Sequence, residues 1–420
     1  MTTALHTHPD FRRLWIGDTI AQLGTNVGHI VLPLLAIAVL NASPFQLGVL
    51  AAAETAAFLV IGLPAGAWVD RVRRKPLMIR MDLARATLLL TVPLAGWLGW
   101  LTLSQLVVVA LLVGACTVFF DVGYQAYLPS LVGRDRLVDG NAKLQASQSV
   151  AQLSGPAAGG ALSQAVGAAN TMLATGVGYL ASALMLSRIR ATEPPPDRPA
   201  KRDLRAEVVE GLKFVLHNRY LRPIVLCTAS WNMFFGVESA VFILFLAKTI
   251  NLGPGQIGLV SALAGIGAII GAAAASRVNA AIGTARAIWL VPLVSTPFGL
   301  LIPLAEAGWR LAPLVVGFLI VNFGVVIYNI AQVSFRQAIC PDRLLGRMNA
   351  SVRFIIWGTM PLGALLGGTL ASAVGVRETL WVAVTGWIVS TFWVLFSPLR
   401  ALRDTPSAPS PSPGQSTDGA

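Results

Sequence analysis

The sequence predicts an all-α integral membrane protein whose twelve transmembrane helices form two pseudo-symmetric six-helix halves, with both termini on the cytoplasmic side. Three observations carry that prediction. Hydrophobic residues make up 55% of the chain and charged residues only 12%, against roughly 25% charged in soluble proteins. Apolar stretches of about twenty residues, the length that crosses a ~30 Å hydrocarbon core as a helix, recur from Trp15 to Phe396. The chain also repeats itself at an offset near 208 residues. The stretches run about twice as long as a barrel strand and do not alternate, which argues against a membrane β-barrel.

In chain order the apolar stretches place helices over 14–40, 45–69, 76–100, 104–130, 144–166, 169–188, 222–247, 256–278, 285–305, 311–334, 348–374 and 378–397. The opening "MTTALHTHPDFRRLW" has no short apolar core and no small-residue cleavage site, so the first helix itself is read as the targeting signal. Lys and Arg near helix ends stay on the cytoplasmic side during insertion. With both termini inside, every Lys and Arg except Lys248, Arg310 and Arg377 falls on a cytoplasmic loop, tail or helix end. The net charge of +12 is therefore topogenic, and nucleic acid is not an expected partner.

The chain divides into an N-terminal half over 1–188, a linker over 189–221, a C-terminal half over 222–398 and a tail over 399–420. Pro194, Pro195 and Pro196 forbid a helix at the start of the linker. Asp203 can cap a following helix whose Leu204, Val208, Leu212 and Val215 share a face, an amphipathic element expected to lie along the inner membrane surface. The tail "DTPSAPSPSPGQSTDGA" has nothing to pack and is expected to be disordered. Cys116, Cys227 and Cys340 lack metal-binding spacing and read as small packing residues. Of four histidines, only His29 lies within a membrane helix.

The repeat is clearest where "GPAAGGALSQAVG" (Gly155 to Gly167) meets "PLGALLGGTLASAVG" (Pro361 to Gly375). Gly159-Gly160 aligns with Gly367-Gly368, Asn141 with Asn349 and Gly167 with Gly375. "FQLGVLAA" likewise aligns with "GQIGLVSA" at an offset of 210, equating the second and eighth helices. Duplicated six-helix halves flanking a central site are an architecture of secondary transporters. The glycines let helices approach closely in lipid, where packing drives association. Pro156 and Pro361 can bend their helices without exposing unsatisfied backbone to lipid.

Between the second and third helices stands Gly66-x-x-x-Asp70-Arg71-x-x-Arg74-Lys75. On this loop and the repeat, the chain resembles the major facilitator superfamily over nearly its whole length. The glycine usual before the final basic pair is Arg73 here, and the corresponding loop of the second half keeps Gly271 and Arg277 but has Ala275 in place of the aspartate. Gly155-Pro156-x-x-Gly159-Gly160 resembles the end of the glycine-proline motif of drug/proton antiporters, although Ala142 and Ala151 replace upstream glycines. The fourth helix lacks the arginine motif of proton-coupled members. Instead "FFDVGYQAYLPSL", "FRRLWIGDTIAQLG" and "MDLARA" are similar to the enterobactin-exporter and macrolide-efflux branch. The resemblance implies a latch favouring the outward-open state. Asp70 would approach the positive N-terminal end of the eleventh helix, across the halves. Arg71 or Arg74 would pair with Asp121, while Arg73 and Lys75 read as topogenic charge.

Acids inside a membrane are costly and mark functional candidates: Asp18, Glu54, Asp82, Asp121 and Glu238. Asp82 has Arg85 at the i,i+3 spacing of a helical ion pair. Glu54 and Glu238 lie deeper, with no basic residue within two turns of their own helices. Glu238, Glu54 and Asp18 are accordingly the proton-coupling candidates, Glu238 first. In the fold the resemblance implies, helices one, four, seven and ten line a central cavity. They would offer Asn26, His29, Phe120, Tyr124, Trp231, Asn232, Phe235, Asn322, Tyr328 and Asn329. That set holds amides and rings but no Lys or Arg, so an amphipathic neutral or cationic molecule fits better than a phosphate or small carboxylate.

The sequence thus reads as a monomeric, proton-driven exporter of a bacterial cytoplasmic membrane. It would carry an amphipathic drug, siderophore or secondary metabolite outward by alternating access, its partners being the lipid bilayer, protons and the small organic substrate. A nutrient importer on the same fold is the runner-up. A polytopic membrane enzyme would need a constellation such as HExxH, and the sequence has neither that nor a Walker motif. No metal or organic cofactor is expected; the proton gradient is the energy source.

Overall fold

The computed structural model describes residues 8–69, 71–133, 137–191, 193 and 204–404. Thirteen α-helices lie among them. The first six are α1 (Pro9–Ala38), α2 (Pro44–Val69), α3 (Arg74–Trp97), α4 (Leu103–Val132), α5 (Leu137–Val166) and α6 (Ala168–Ser187). Then come α7 (Leu204–His217) in the linker, α8 (Leu221–Leu244), α9 (Pro254–Ile282), α10 (Thr284–Ser295), α11 (Ala312–Ile339), α12 (Asp342–Val374) and α13 (Val376–Leu395). Ten described helices or helix-plus-turn segments have the length and apolarity to cross a membrane. Helices α3 and α5 are as long but too polar to be among them. The first carries Arg74, Lys75, Arg80, Asp82 and Arg85, and the second a run of Gln, Ser and Asn residues.

Local chemistry starts and stops these helices. His8 accepts the Phe11 amide ahead of Pro9 at the first turn of α1, and Thr102 accepts the Gln105 amide at the start of α4. Gly167 and Gly375, equivalent in the repeat, take φ of 84° and 109° and divide α5 from α6 and α12 from α13. Helices α1, α5, α11 and α12 extend several residues past the predicted boundaries at what the charge pattern makes their cytoplasmic ends. Hydropathy registers where the hydrocarbon stops, whereas backbone hydrogen bonding continues until a breaker intervenes. The stretch expected as one helix over 285–305 is interrupted: α10 ends at Ser295 and a 3₁₀ turn runs over Thr296–Leu301. Pro297 lacks the amide an α-helix needs there.

The packing follows the repeat. Within the first set α1 packs on α5 and α6, α2 on α4, and α3 on α4 and α6. In the second, α8 packs on α12 and α13, α9 on α11, and α10 on α11 and α13. The same two-fold relation governs contacts between the sets, where α5 meets α9 and α12 meets α2. Gly155 and Gly159 face α1 while Gly160 faces α9; their equivalents Gly363 and Gly367 face α8 and Gly368 faces α2.

The linker helix does not lie free. Gly211 of α7 is seated against Arg347 and Ser351 of α12, Glu210 pairs with Arg347, and Val215 is fully buried with Leu221, Met348 and Val352. The apolar face expected to lie on a membrane surface is thus covered, at its C-terminal end, by protein. Asp203 and residues 405–420, the expected cap and most of the expected disordered tail, lie outside the described residues. Two short straps tie helix ends together. Asp10 accepts the amides of Arg190 and Ala191, and Glu193 accepts those of Arg74 and Lys75 at the start of α3. In the other set, Asp404 accepts the Thr284 amide and the Arg403 carbonyl accepts those of Ala285 and Arg286 at the start of α10.

Candidate functional site

The two sets of helices meet at one end and part at the other. Near the starts of α2 and α9, Gly48 lies against the α12 backbone at Ala364 and Gly368, and Gly160 and Gly258 interlock so that a Cβ on either would overlap a carbonyl of the other helix. Contacts continue to Leu59 against Gly358, Phe58 against Trp357 and Leu153 against Gly265. Beyond them Val60 and Val150, on α2 and α5, and Ile269 on α9 are exposed. The molecule is therefore closed where α2, α6, α9 and α13 begin and splayed where α3, α5 and α12 begin.

Within the first set, a buried charge cluster lies on three of its helices. Asp18 is 5% exposed, Asp82 0% and Arg85 3%. Arg85 pairs with Asp82, reaches Thr117 at 3.3 Å, and lies between the rings of Phe120 and Tyr179 at 4.4 and 4.3 Å. Those ring faces attract a cation, by about 0.5–2 kcal/mol each. Asp121, half-buried on α4, acts electrostatically on Asp18 and is acted on by Arg85 and, from α12, by Arg353. The local pair Asp82–Arg85 was legible from its spacing. The Asp18 and Asp121 neighbours were not, since three helices bring them together.

The two deeper acids differ. Glu54 of α2 is joined to His29 of α1 at 3.3 Å, and the His29 side chain is 58% exposed. Glu238 of α8 is 4% exposed and has no ion-pair partner among the described residues. It follows Trp231 and Phe235 at helical spacing. Trp231 is stacked between Phe235 at 5.5 Å and Trp387 of α13 at 5.4 Å. Trp387 was not anticipated, because α13, the twelfth helix expected from the sequence, was not among those read as lining the site.

The remaining predicted residues separate into exposed and packed. Asn329 is exposed, and Tyr124, Asn232 and Phe235 are partly so. Phe120 is buried beneath Arg85, and Tyr328 is buried with its hydroxyl 2.7 Å from that of Thr228. Asn26 turns back to the Gln22 carbonyl beside Gly155, and Asn322 donates to the Ala264 carbonyl of α9. In the loop motif, Asp70 lies outside the described residues and Arg71 is exposed. Arg74 and Lys75 meet the linker strap: Arg74 is 3.9 Å from Glu193 and Lys75 donates to the Ile189 carbonyl. Neither meets Asp121 in this arrangement, which lies roughly 16 Å deeper from the end of α4 at 1.5 Å per residue.

Residues 2–417 match the profile of a family described as transmembrane secretion effectors, within the major facilitator superfamily. The chain belongs to this family. This secretion-effector family member is 29% identical over 353 residues to the multidrug efflux pump Tap of Mycolicibacterium fortuitum, covering 81% of this chain and 84% of the pump. It is 26% identical over 442 residues to the enterobactin exporter EntS of Citrobacter koseri, covering 97% of each. Its fold is that of the nucleoside transporter NupG, with a TM-score of 0.76 at 10% identity over 92% of this chain and 99% of that one. The family member is thus a multi-pass transporter of the bacterial cytoplasmic membrane and not an enzyme.

Proposed function

We propose that this transporter is a proton-coupled exporter that moves an amphipathic, neutral or cationic organic molecule outward by alternating access. The observation that carries this reading is the pair of glycine seams, α2 on α12 and α5 on α9. They close one end, while His29 and Asn329 are exposed and Tyr124 and Asp121 partly so. Small residues let such seams slide or part without large repacking. In the proposed topology twelve helices span, α7 excepted, in halves over 1–188 and 222–398, and both termini are cytoplasmic. The splayed end then faces the cytoplasm, the side from which an exporter loads. Efflux of a drug or siderophore is further supported by the names of the relatives, Tap and EntS. The buried acids supply places where protonation can bias one state over the other.

The test is accumulation. Cells overproducing the protein should hold several-fold less of at least one amphipathic compound from a chemically broad panel, and an uncoupler should restore it. Export unaffected by the uncoupler would remove the proton drive. Uptake into vesicles of a nutrient by purified protein would instead establish an importer.

A further inference from the structure

His29 and Glu54 join two helices that both reach the second set. Helix α1 gives two of its faces to its own set: Gly24 and Gly28 lie against Thr175 of α6, and Asn26 and Val27 against Gly155 and Gly159 of α5. His29 points to neither, since its partner is on α2. Helix α1 also touches α8, and α2 packs on α8 and α12. The pair therefore lies on the side of the first set turned toward the second. Its depth agrees on both helices, about 14 Å from the closed-end terminus of α1 and about 15 Å from that of α2, close to mid-membrane.

Only one nitrogen of the ring is engaged. Nδ1 lies 3.3 Å from Glu54 Oε2, Nε2 has no partner among the described residues, and the His29 side chain is 58% exposed. Other charges stay away. Helix α6 carries none, and α5 carries its own within two turns of the splayed end. Helix α4 carries only Asp121, about 27 Å from the closed end, and α8 carries Arg222 at its start and Glu238, which is buried. On α1 itself the nearest is Asp18, about three turns away.

An ionised carboxylate has no proton to give, so it takes one from the ring. Nδ1–H donates to Glu54, and the other nitrogen of the neutral imidazole is then a bare acceptor. The dyad as a whole carries one negative charge. We infer that His29 Nε2 is the acceptor this transporter offers its substrate, and that it takes the N–H of a protonated amine. Glu54 is the positioning residue, fixing the ring and supplying the compensating charge. A quaternary ammonium has the charge but no hydrogen to donate, and a phosphate or carboxylate would meet the dyad's own negative charge. A proton on Nε2 and an ammonium donating to it exclude one another. The inference rests on the substrate class proposed above and narrows it to amines.

The test reads the ring directly. In a protein carrying His6→Gln, His8→Asn and His217→Gln, nitrogen-15-labelled histidine reports which nitrogen of His29 bears hydrogen. The spectrum is taken in lipid nanodiscs at about pH 8.5, above the ordinary imidazole range. Nδ1 should be protonated and Nε2 bare. Glu54→Gln, whose side-chain carbonyl can still accept from Nδ1, should keep that tautomer, and Glu54→Ala should lose it. The probes are 4-phenylbutylamine and 4-phenylbutyltrimethylammonium, which share an apolar body and a charge. The amine should shift the Nε2 resonance saturably, and the trimethyl compound should bind about tenfold more weakly, the loss of one charge-assisted hydrogen bond. His29→Asn keeps a donor toward Glu54 but has nothing at the Nε2 position, and should lose amine binding by the same factor in equilibrium dialysis. Hydrogen on Nε2, an Nε2 resonance unmoved by the amine, or equal binding of the two probes overturns the site. An unchanged tautomer in Glu54→Ala removes Glu54 from it. Export that persists with an unmoved Nε2 removes the site and leaves the exporter. Amine binding in a protein that lowers the accumulation of no compound removes the exporter and leaves the site.

Discussion

Glu238 is a buried carboxyl on a membrane helix with aromatic neighbours and no counter-charge. It lies about 26 Å from the start of α8, beyond the midplane toward the closed end. A charge held there unpaired costs several kcal/mol, about 2.5–3.5 on insertion scales. Glu238→Gln removes the titratable group while keeping its shape. The proposed role predicts that purified Glu238→Gln binds substrate as wild type does but loses export driven by an imposed pH gradient; equal export at every gradient would assign coupling elsewhere. Glu54→Gln should show a milder loss, because Glu54 already has a partner in His29, 3.3 Å away. Arg85 makes a different prediction. Its removal leaves Asp82 alone in the interior, which for a broken buried pair costs about 3–5 kcal/mol. Arg85→Ala should therefore unfold at markedly lower temperature in detergent, and Arg85→Lys should recover the charge but not the two ring contacts. The Asp82–Arg85 pair was readable in sequence because both partners lie on one helix. The Glu54–His29 contact was not, because each residue was visible only on its own helix.

At the scale of elements, the seams dominate. Gly160 meets the α9 backbone at Pro254 and Gly258 so closely that any side chain must push the helices apart. Gly160→Leu should abolish transport without preventing insertion, read as loss of efflux at equal membrane abundance. An unaltered transport rate would mean the seam tolerates separation and does not gate. The repeat that places Gly155, Gly159 and Gly160 opposite Gly363, Gly367 and Gly368 was legible, since a duplicated half must reuse its packing surfaces. The straps were less so. Glu193 and Asp404 occupy near-equivalent positions after α6 and α13, each capping the third helix of its own set. Nothing in the local sequence of either segment names its distant partner. The amphipathic pattern of α7 likewise announced a helix with one apolar face but not what covers it. A moment along a helix is the same whether lipid or α12 lies beneath.

For the whole molecule, the positive-inside pattern predicts sidedness. Trp309, in the short connection between α10 and α11, is 83% exposed. In a background with Cys116, Cys227 and Cys340 replaced by Ala, Trp309→Cys should react with an impermeant thiol reagent in intact cells, and His217→Cys only after permeabilisation. The reverse pattern would invert the topology and turn the splayed end outward. Much of this architecture was determined by the chain alone. Insertion responds to the length of apolar stretches and to flanking charge, both of which are written linearly. The duplication is equally a property of the string. Tertiary structure decided which end is closed, that Arg74 meets Glu193 and not Asp121, and that Phe120 and Tyr328 pack while Asn329 stays exposed. Each of these depends on how separate helices are rotated and tilted against one another. In a bilayer that choice is made by close packing between helices, because lipid is as apolar as their side chains and hydrophobicity does not favour one neighbour over another.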